Sequence, residues 1–216
     1  MGTRAIRSTA VLAAVVALTA CTAPPEPPLS SPAPVLDRQA IAYDNLDFNL
    51  SRPSVFDNTC ETLPRDLQSL VGSRKKPVTS EMGGGCVAEM EWGKLRISLL
   101  GPGAGRKSNA QHFVDVWMGE RGAGNYFQRS VLLDRYYATT VISGEVNEDC
   151  TVTVDTGSEL PFQVAAGMDF DESMKLKDLD VDQPIDRALR EFCPAATGAA
   201  EKVLPLIDEN GGSRAR

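Results

Sequence analysis

The stretch that decides the fold class is DCTVTVDTGSELPFQVAA, residues 149–166. In its first half Val152 and Val154 alternate with threonines, which is the period-two pattern of a strand with one buried face. Residues 160–166 form a second short apolar run, and residues 156–159, TGSE, form a turn sequence between the two runs. The stretch therefore predicts a β-hairpin, which is the unit from which antiparallel sheets are built.

The segments around this hairpin supply further strands and helices. Residues 87–100 and 130–143 have the alternation or the Val, Thr and Tyr content of strands. Helical periodicity or capping marks four further segments, which are 62–72 with Gly72 as its stop, 108–118, 185–192, and 196–207 with Pro194 as a break or first-turn residue before it. Sequence-adjacent strands with helices before, between and after them predict a single α+β domain, an antiparallel sheet packed with a few helices.

The first 21 residues have the pattern of a bacterial lipoprotein signal. Arg4 and Arg7 precede an uncharged Ala/Val-rich core that is too short to span a bilayer. The core ends in Leu-Thr-Ala-Cys, residues 18–21, which is the pattern of a lipobox. We therefore expect residues 1–20 to be removed and Cys21 to carry the lipid that anchors the protein to the extracytoplasmic face of the cell membrane.

Composition divides the remaining chain. Residues 21–50 begin with a Pro/Ser-rich run that favours an extended tether. We expect the folded domain at 51–209 and a frayed tail at 210–216. Loss of Arg4 and Arg7 changes the formal charge from −7 to −9, and an acidic protein is a poor partner for nucleic acid.

The cysteines predict two disulfides. With Cys21 assigned to the lipid, an even number remains outside the cytoplasm, namely Cys60, Cys86, Cys150 and Cys193. Three pairings of these four are possible. We favour Cys60–Cys86 and Cys150–Cys193, because each joins the edge of a predicted helix to a predicted strand or turn. The chain has no Cys-x-x-Cys motif, so a structural role is favoured over redox catalysis.

Two motifs resemble ligand sites but lack a required residue. Residues 101–108, GPGAGRKS, approach a phosphate-binding loop, yet Arg106 stands where glycine must precede the lysine. Residues 178–182 begin like a calcium loop, but Gln183 and Leu189 replace the required glycine and glutamate. We interpret the first as a turn before a helix and the second as a solvated acidic loop, and we predict no metal and no cofactor.

Few side chains suggest catalysis or recognition. His112 is the only histidine, and no nucleophile elbow or H-E-x-x-H motif is present. We therefore predict no catalytic residue, and an envelope hydrolase would depend on His112. Four strand aromatics, Tyr126, Phe127, Tyr136 and Tyr137, form either a recognition surface or part of the core.

The cysteine contexts resemble a known family. FDNTCETLPRDLQSLVG, followed by GGGC and EWGKLRISLL, is similar to the head of the actinobacterial lipoproteins grouped as "domain of unknown function 3558". DCTVTVDTG and FCPAATGAAEKVLPLI resemble the family's later cysteine strand and its cysteine-opened terminal helix. The spacing departs from the family pattern at two positions. Cys60 lies three residues after Asp57 rather than two, and Trp92 lies six residues after Cys86. The likeness covers about residues 50–207, and it implies an exported domain, the disulfide pairing favoured above and no assigned catalytic residue.

These observations lead to two hypotheses on function. The first is a non-enzymatic binding lipoprotein, an accessory or sensor-like domain that contacts an envelope protein or a small ligand. The alternative is a carrier that holds a lipid or small molecule in an apolar cavity between sheet and helices.

Overall fold

The computed structural model describes residues 52–81, 83–101, 113, 126–143, 149–169 and 182–212. All of them belong to one compact unit, Pro34–Arg216. Several sequence predictions lie outside the described residues, namely the signal peptide 1–20, Cys21, the tether 21–50, the loop and helix of 102–118 apart from residue 113, His112, residues 178–181 and the end of the tail at 213–216.

The described residues form one antiparallel sheet. Its strands are β1 (Val78–Thr79), β2 (Cys86–Met90), β3 (Gly93–Leu99), β4 (Tyr126–Leu132), β5 (Tyr136–Ser143), β6 (Asp149–Asp155) and β7 (Phe162–Gly167). Their order is β1-β2-β3-β7-β6-β5-β4, so β4 to β7 form a meander whose last strand pairs back with β3. The predicted hairpin is the β6–β7 pair, and the predicted antiparallel α+β class is confirmed.

Helices cover one face of this sheet. A 3-10 turn (Cys60–Thr62) and α1 (Leu67–Val71) precede the strands, and α2 (Asp182–Arg187), a π turn (Ala188–Phe192) and α3 (Cys193–Ile207) follow them. Helix α3 packs on β6 and β7, and α1 packs on α3. The core lies between these layers, where Val154, Phe162, Val164, Ala196 and Ala200 are fully buried.

Helix α1 is shorter than the sequence predicted. The pattern indicated a helix from residue 62, but α1 begins at Leu67. Leu63 is extended (φ −87°, ψ 165°), because the proline at position 64 disfavours helical backbone in the residue before it. The predicted stop is confirmed, since Gly72 is left-handed (φ 75°, ψ 35°) and its N–H donates to the Gln68 carbonyl.

Pro194 does not break the final helix. The chain runs from α2 through the π turn into α3 without interruption, and Pro194 lies in the first turn of α3. The Cys193 N–H donates to the Ala188 carbonyl, five residues back. A proline ring collides with the carbonyl four residues before it, and the wider π turn accommodates that ring at this point.

A tight turn divides the segment 130–143, which was predicted only as strand. The turn between β4 and β5 places both Leu133 (φ 52°) and Asp134 (φ 58°) in the left-handed region. The Arg135 N–H donates to the Leu132 carbonyl at 3.1 Å. The segment lacks the glycine or asparagine that normally marks such a turn, so the sequence pattern gave no sign of it.

We expect Leu133→Asn to raise the free energy of unfolding by about 1 kcal/mol, because left-handed backbone costs a leucine about that much and asparagine far less. Leu133 is 39% exposed, so little apolar burial is lost. Urea denaturation measures the difference. Leu133→Ala is the matched control, since alanine keeps the strained Cβ; an equal gain in both variants would contradict the argument.

The structure has the disulfides Cys60–Cys86 and Cys150–Cys193, which is the pairing favoured from the sequence. The first joins the 3-10 turn to the start of β2. The second joins β6 to the first residue of α3. Each disulfide therefore fixes a helical segment to the sheet on which the helices pack.

Candidate functional site

The sheet face opposite the helices carries a row of polar residues. Five neighbouring strands each contribute one residue to this row, in register: Ser98 on β3, Gln163 on β7, Thr153 on β6, Thr139 on β5 and Arg129 on β4. All except the glutamine are buried, and Gln163 Nε2 donates to Thr153 Oγ1 at 3.2 Å. Buried polar side chains need hydrogen-bond partners, so this second face is a candidate for a binding site.

A pocket of about 550 Å³ lies at the β3 end of this row. Its lining includes Lys94, Arg96, Ser98, Asp149, Gln163 and Gly167, and we call it the polar pocket. Alternation along β3 and β7 turns these side chains away from the apolar core. The volume is in the range of small-molecule sites.

The two cations of the polar pocket each contact a neighbouring group. Arg96 Nη2 donates to the Gly84 carbonyl at 2.6 Å, which holds the loop before β2 against β3. Gly85 in that loop has φ 89°, and a Cβ there would lie 2.8 Å from the Ile97 carbonyl. Lys94 Nζ lies 2.7 Å from Asp169 Oδ1, and both side chains are about half exposed.

Asp149 is the unusual member of the pocket. Among the described residues its carboxylate has neither a hydrogen-bond nor an ion-pair partner. The carboxylate lies over Gly167, where an added Cβ would fall 1.7 Å from Asp149 Oδ1. Burial raises the pKa of the Asp149 carboxyl, because desolvation disfavours the charged form. A desolvated carboxylate in a pocket, held there without a partner, is typical of a functional site.

A second pocket, of about 630 Å³, lies beside α1 and the edge strand β1. Leu63, Leu67 and Val78 give it an apolar lining. Its acid, Glu61, accepts a hydrogen bond from Thr79 Oγ1 at 3.1 Å and is exposed. This groove therefore lacks a buried polar group that needs a ligand, and the polar pocket is the stronger candidate.

A buried ionic cluster lies away from both pockets and joins the two ends of the described body. Arg52 Nη2 donates to Asp208 Oδ2 at 2.5 Å and to the Thr156 carbonyl at 2.6 Å. The Tyr136 hydroxyl donates to Asp208 Oδ2 at 3.1 Å. Gly211 is buried against the same carboxylate. The predicted tail therefore packs as far as residue 212, and we name Arg52, Tyr136 and Asp208 the Asp208 cluster.

The Asp208 cluster gives the fold a component that is sensitive to alkali. Burial, and next the Asp208 carboxylate, raise the pKa of Tyr136 to about 12. An unfolded tyrosine titrates near pH 10, so the unfolded chain loses this proton first. The stabilisation is complete below about pH 10 and is lost as the pH rises towards the folded-state pKa.

We expect Tyr136→Phe to flatten this decline of the unfolding free energy between about pH 10 and pH 12, because phenylalanine has no proton to lose. Denaturant unfolding at several pH values measures the slope. Tyr126→Phe is the matched control, since the Tyr126 hydroxyl bonds Gln128 on the exposed side. Parallel slopes for the wild type and Tyr136→Phe would contradict this assignment.

The four strand aromatics do not form one recognition surface. Tyr136 and Tyr137 are buried at the turn end of the β4–β5 pair, whereas Tyr126 and Phe127 lie at its other end. Consecutive strand residues point to opposite faces, so neither pair shares a surface. The Arg129 guanidinium lies over the Phe127 ring at 4.8 Å.

The remaining predicted site residues are outside or marginal to the described structure. His112, Cys21 and the start of the acidic loop are not described, and Asp182 is the first residue of α2. In the described ranges, no three acids, histidines or cysteines are grouped to hold a metal ion. No helix in that part of the chain is long and apolar enough to cross a membrane.

The sequence pattern predicted a strand within residues 87–100, which includes Arg96 and Ser98, but did not single out the polar pocket. Asp149 carried no motif of its own. Its position directly before Cys150, at the start of a strand, was the one available signal.

No protein-family model, curated protein or solved structure matches this chain.

Proposed function

We propose that this protein is a lipoprotein anchored through Cys21 on the extracytoplasmic face of the membrane, and that its domain is a non-enzymatic binding or sensor-like module. The lipobox, the Pro/Ser-rich tether and the cysteine content support the location. The likeness to the "domain of unknown function 3558" lipoproteins agrees with it. The observation that carries the binding role is the polar pocket with its desolvated carboxylate at Asp149.

The chemistry of the polar pocket favours binding over catalysis. Its described lining contains one carboxylate, Asp149, and no histidine or cysteine. A nucleophile–base pair or a pair of carboxylates, which hydrolysis requires, is not assembled by those residues. The pocket is therefore suited to recognising a polar ligand.

The layer between sheet and helices is filled by side chains. Phe162, Val164, Phe192 and Leu204 are fully buried there. These contacts give the lipid-carrier alternative no support in the described structure. A polar ligand, or an envelope protein that presents a polar group, fits the domain better.

Mass spectrometry of the mature protein, extracted from its own membrane without reduction, tests this proposal. We expect an acylated Cys21 as the first residue and a mass lower by four hydrogens than that of the reduced chain. Cys21→Ala is the control and should leave the chain unacylated. A mature protein without acyl chains, or one that starts elsewhere, would refute the anchor.

Native mass spectrometry of the same preparation tests the binding role. A small molecule or an envelope protein that remains bound supports it. A domain that is empty after the gentlest extraction, and that binds none of the small molecules tested below, contradicts it.

A further inference from the structure

We propose that the polar pocket binds a small ligand carrying a protonated amine, and that the ammonium group contacts the carboxylate of Asp149. The inference rests on the proposed binding function and names the class of ligand. It follows from the contacts of three charged side chains, from the shape of the sheet beside them and from the polar groups farther along the pocket.

The two cations of the polar pocket contact groups other than Asp149. Lys94 pairs across the ladder with Gly167, over which the Asp149 carboxylate lies. Its ammonium instead contacts Asp169 at 2.7 Å. The Arg96 guanidinium is directed to the Gly84 carbonyl at 2.6 Å. Among the residues that the structure describes, Asp149 is thus a desolvated acceptor without a donor, and a ligand can supply one.

Three kinds of partner differ in how well they fit the Asp149 carboxylate. A single carboxylate does not make a calcium site, which needs six to eight oxygen ligands. A neutral hydroxyl satisfies a lone pair but leaves the partly desolvated charge uncompensated. An ammonium group supplies up to three N–H donors together with a positive charge, and such charge-assisted hydrogen bonds are the strong ones. A protonated amine is therefore the best complement to this carboxylate.

The other polar groups of the pocket select the remaining part of the ligand. Arg96, Ser98 and Gln163 line the same pocket and offer a positive charge, a hydroxyl and an amide. A second ammonium group on the ligand would meet the Arg96 charge, whereas a carboxylate would be attracted to it. We therefore expect amines that also bear an acidic group to bind more tightly than diamines.

Gly167 is the positioning residue for this site. Because it has no side chain, the Asp149 carboxylate occupies the space above its Cα. Alanine at this position would place a Cβ where the carboxylate lies, so Gly167→Ala should weaken amine binding without removing any charged group.

Isothermal titration calorimetry on the mature protein in detergent, near pH 7, tests the inference with four probes: L-lysine, cadaverine, glutarate and glucose. We expect lysine to bind, cadaverine to bind more weakly, and glutarate and glucose not to bind through Asp149. Asp149→Asn should weaken lysine binding about tenfold to a hundredfold, as the loss of a charged hydrogen bond implies. Glu201→Gln, an exposed acid on α3, is the charge-matched control and should bind like the wild type.

The outcomes separate this inference from the proposed function. Equal lysine binding by the wild type and Asp149→Asn, or the absence of binding by both amines, overturns the amine assignment. If glutarate or glucose binds independently of Asp149, the pocket is a binding site for another class and the proposed function stands. If none of the four probes binds and native mass spectrometry finds the domain empty, both proposals fail.

Stability provides the second readout, which separates a ligand-binding carboxylate from a structural one. The folded-state pKa of Asp149 is raised, so its contribution is most favourable at low pH and is lost as the pH rises above its unfolded value. Near neutral pH we expect Asp149→Asn to melt at a higher temperature than the wild type. The nearby charged groups, namely Lys94 and Arg96 in the pocket lining and Asp169 paired with Lys94, remain in place. A lower melting temperature would indicate a structural role and would overturn the inference.

Discussion

Replacing both Cys150 and Cys193 with alanine is expected to lower the free energy of unfolding by about 4 kcal/mol. The disulfide between them spans 43 residues, and closing a loop of that length restricts the unfolded chain by about this amount. Cys150 is fully buried and Cys193 nearly so, so alanine also leaves unfilled space in the layer between β6 and α3. A loss of this size removes a large share of the stability of an ordinary domain.

Urea denaturation of the non-reduced protein measures this loss. The matched control is the pair Cys60→Ala and Cys86→Ala, whose disulfide spans only 26 residues. We expect that pair to cost about 3 kcal/mol, because its loop is shorter. Chemical reduction of the wild type should lower stability at least as much as either double variant. An unfolding free energy within about 1 kcal/mol of the wild type would show that the Cys150–Cys193 disulfide contributes little.

The second large effect is expected at Asp208, where alanine should cost about 3 kcal/mol. Removing one partner of a buried ion pair typically costs 3–5 kcal/mol. We take the lower end because the Arg52 side chain is 38% exposed whereas that of Asp208 is 3% exposed. The variant also removes the carboxylate oxygen that accepts a hydrogen bond from the Tyr136 hydroxyl. That hydroxyl would still donate a hydrogen bond to the backbone carbonyl of residue 208, which lies 2.9 Å away.

A double-mutant cycle with Arg52→Ala isolates the ion pair. We expect the two single substitutions together to overestimate the loss in the double variant by about 1 kcal/mol or more, because residues in one network are coupled. Glu209→Ala is the neighbouring control, because Arg135 contacts the backbone carbonyl of Glu209, which alanine retains. Additive losses at Arg52 and Asp208 would show that the pair is not coupled.

The fold class was predictable because its signals are local. The alternation of Val152 and Val154 with threonines and the turn at residues 156–159 are contained in eighteen consecutive residues, and the structure has the β6–β7 pair there. Gly72 likewise marked the end of α1. Such features depend on backbone preferences of a few neighbouring residues, which a single sequence carries.

What sequence reasoning missed depends on distant contacts. The pairing of β7 with β3 brings together residues more than sixty positions apart, and strand alternation says nothing about which strands become neighbours. The turn at Leu133 and Asp134 places a leucine in left-handed backbone, which leucine rarely adopts. The π turn before Pro194 was hidden because helical periodicity continues through it.

The polar pocket was unpredictable for the same reason. Asp149 matters because Gly167 leaves room for its carboxylate and because Asp169 engages Lys94. Each of these facts is a property of the assembled sheet. The sequence shows an ordinary aspartate before a cysteine.

The Asp208 cluster also makes this domain a portable unit. Because Arg52 bonds Asp208, just after the last helix, a fragment cut to residues 52–212 would have its two ends near one corner of the body. A fragment whose ends lie close together can be inserted into a surface loop of a host protein without separating the host residues on either side. It can also be circularly permuted, with the old ends joined by a short peptide and new ends opened elsewhere. The turn at Leu133 and Asp134 is a suitable place for the new ends. Opening the chain there would relieve the strain of the left-handed backbone. It would leave the polar pocket intact, because the residues that line the pocket lie outside β4 and β5.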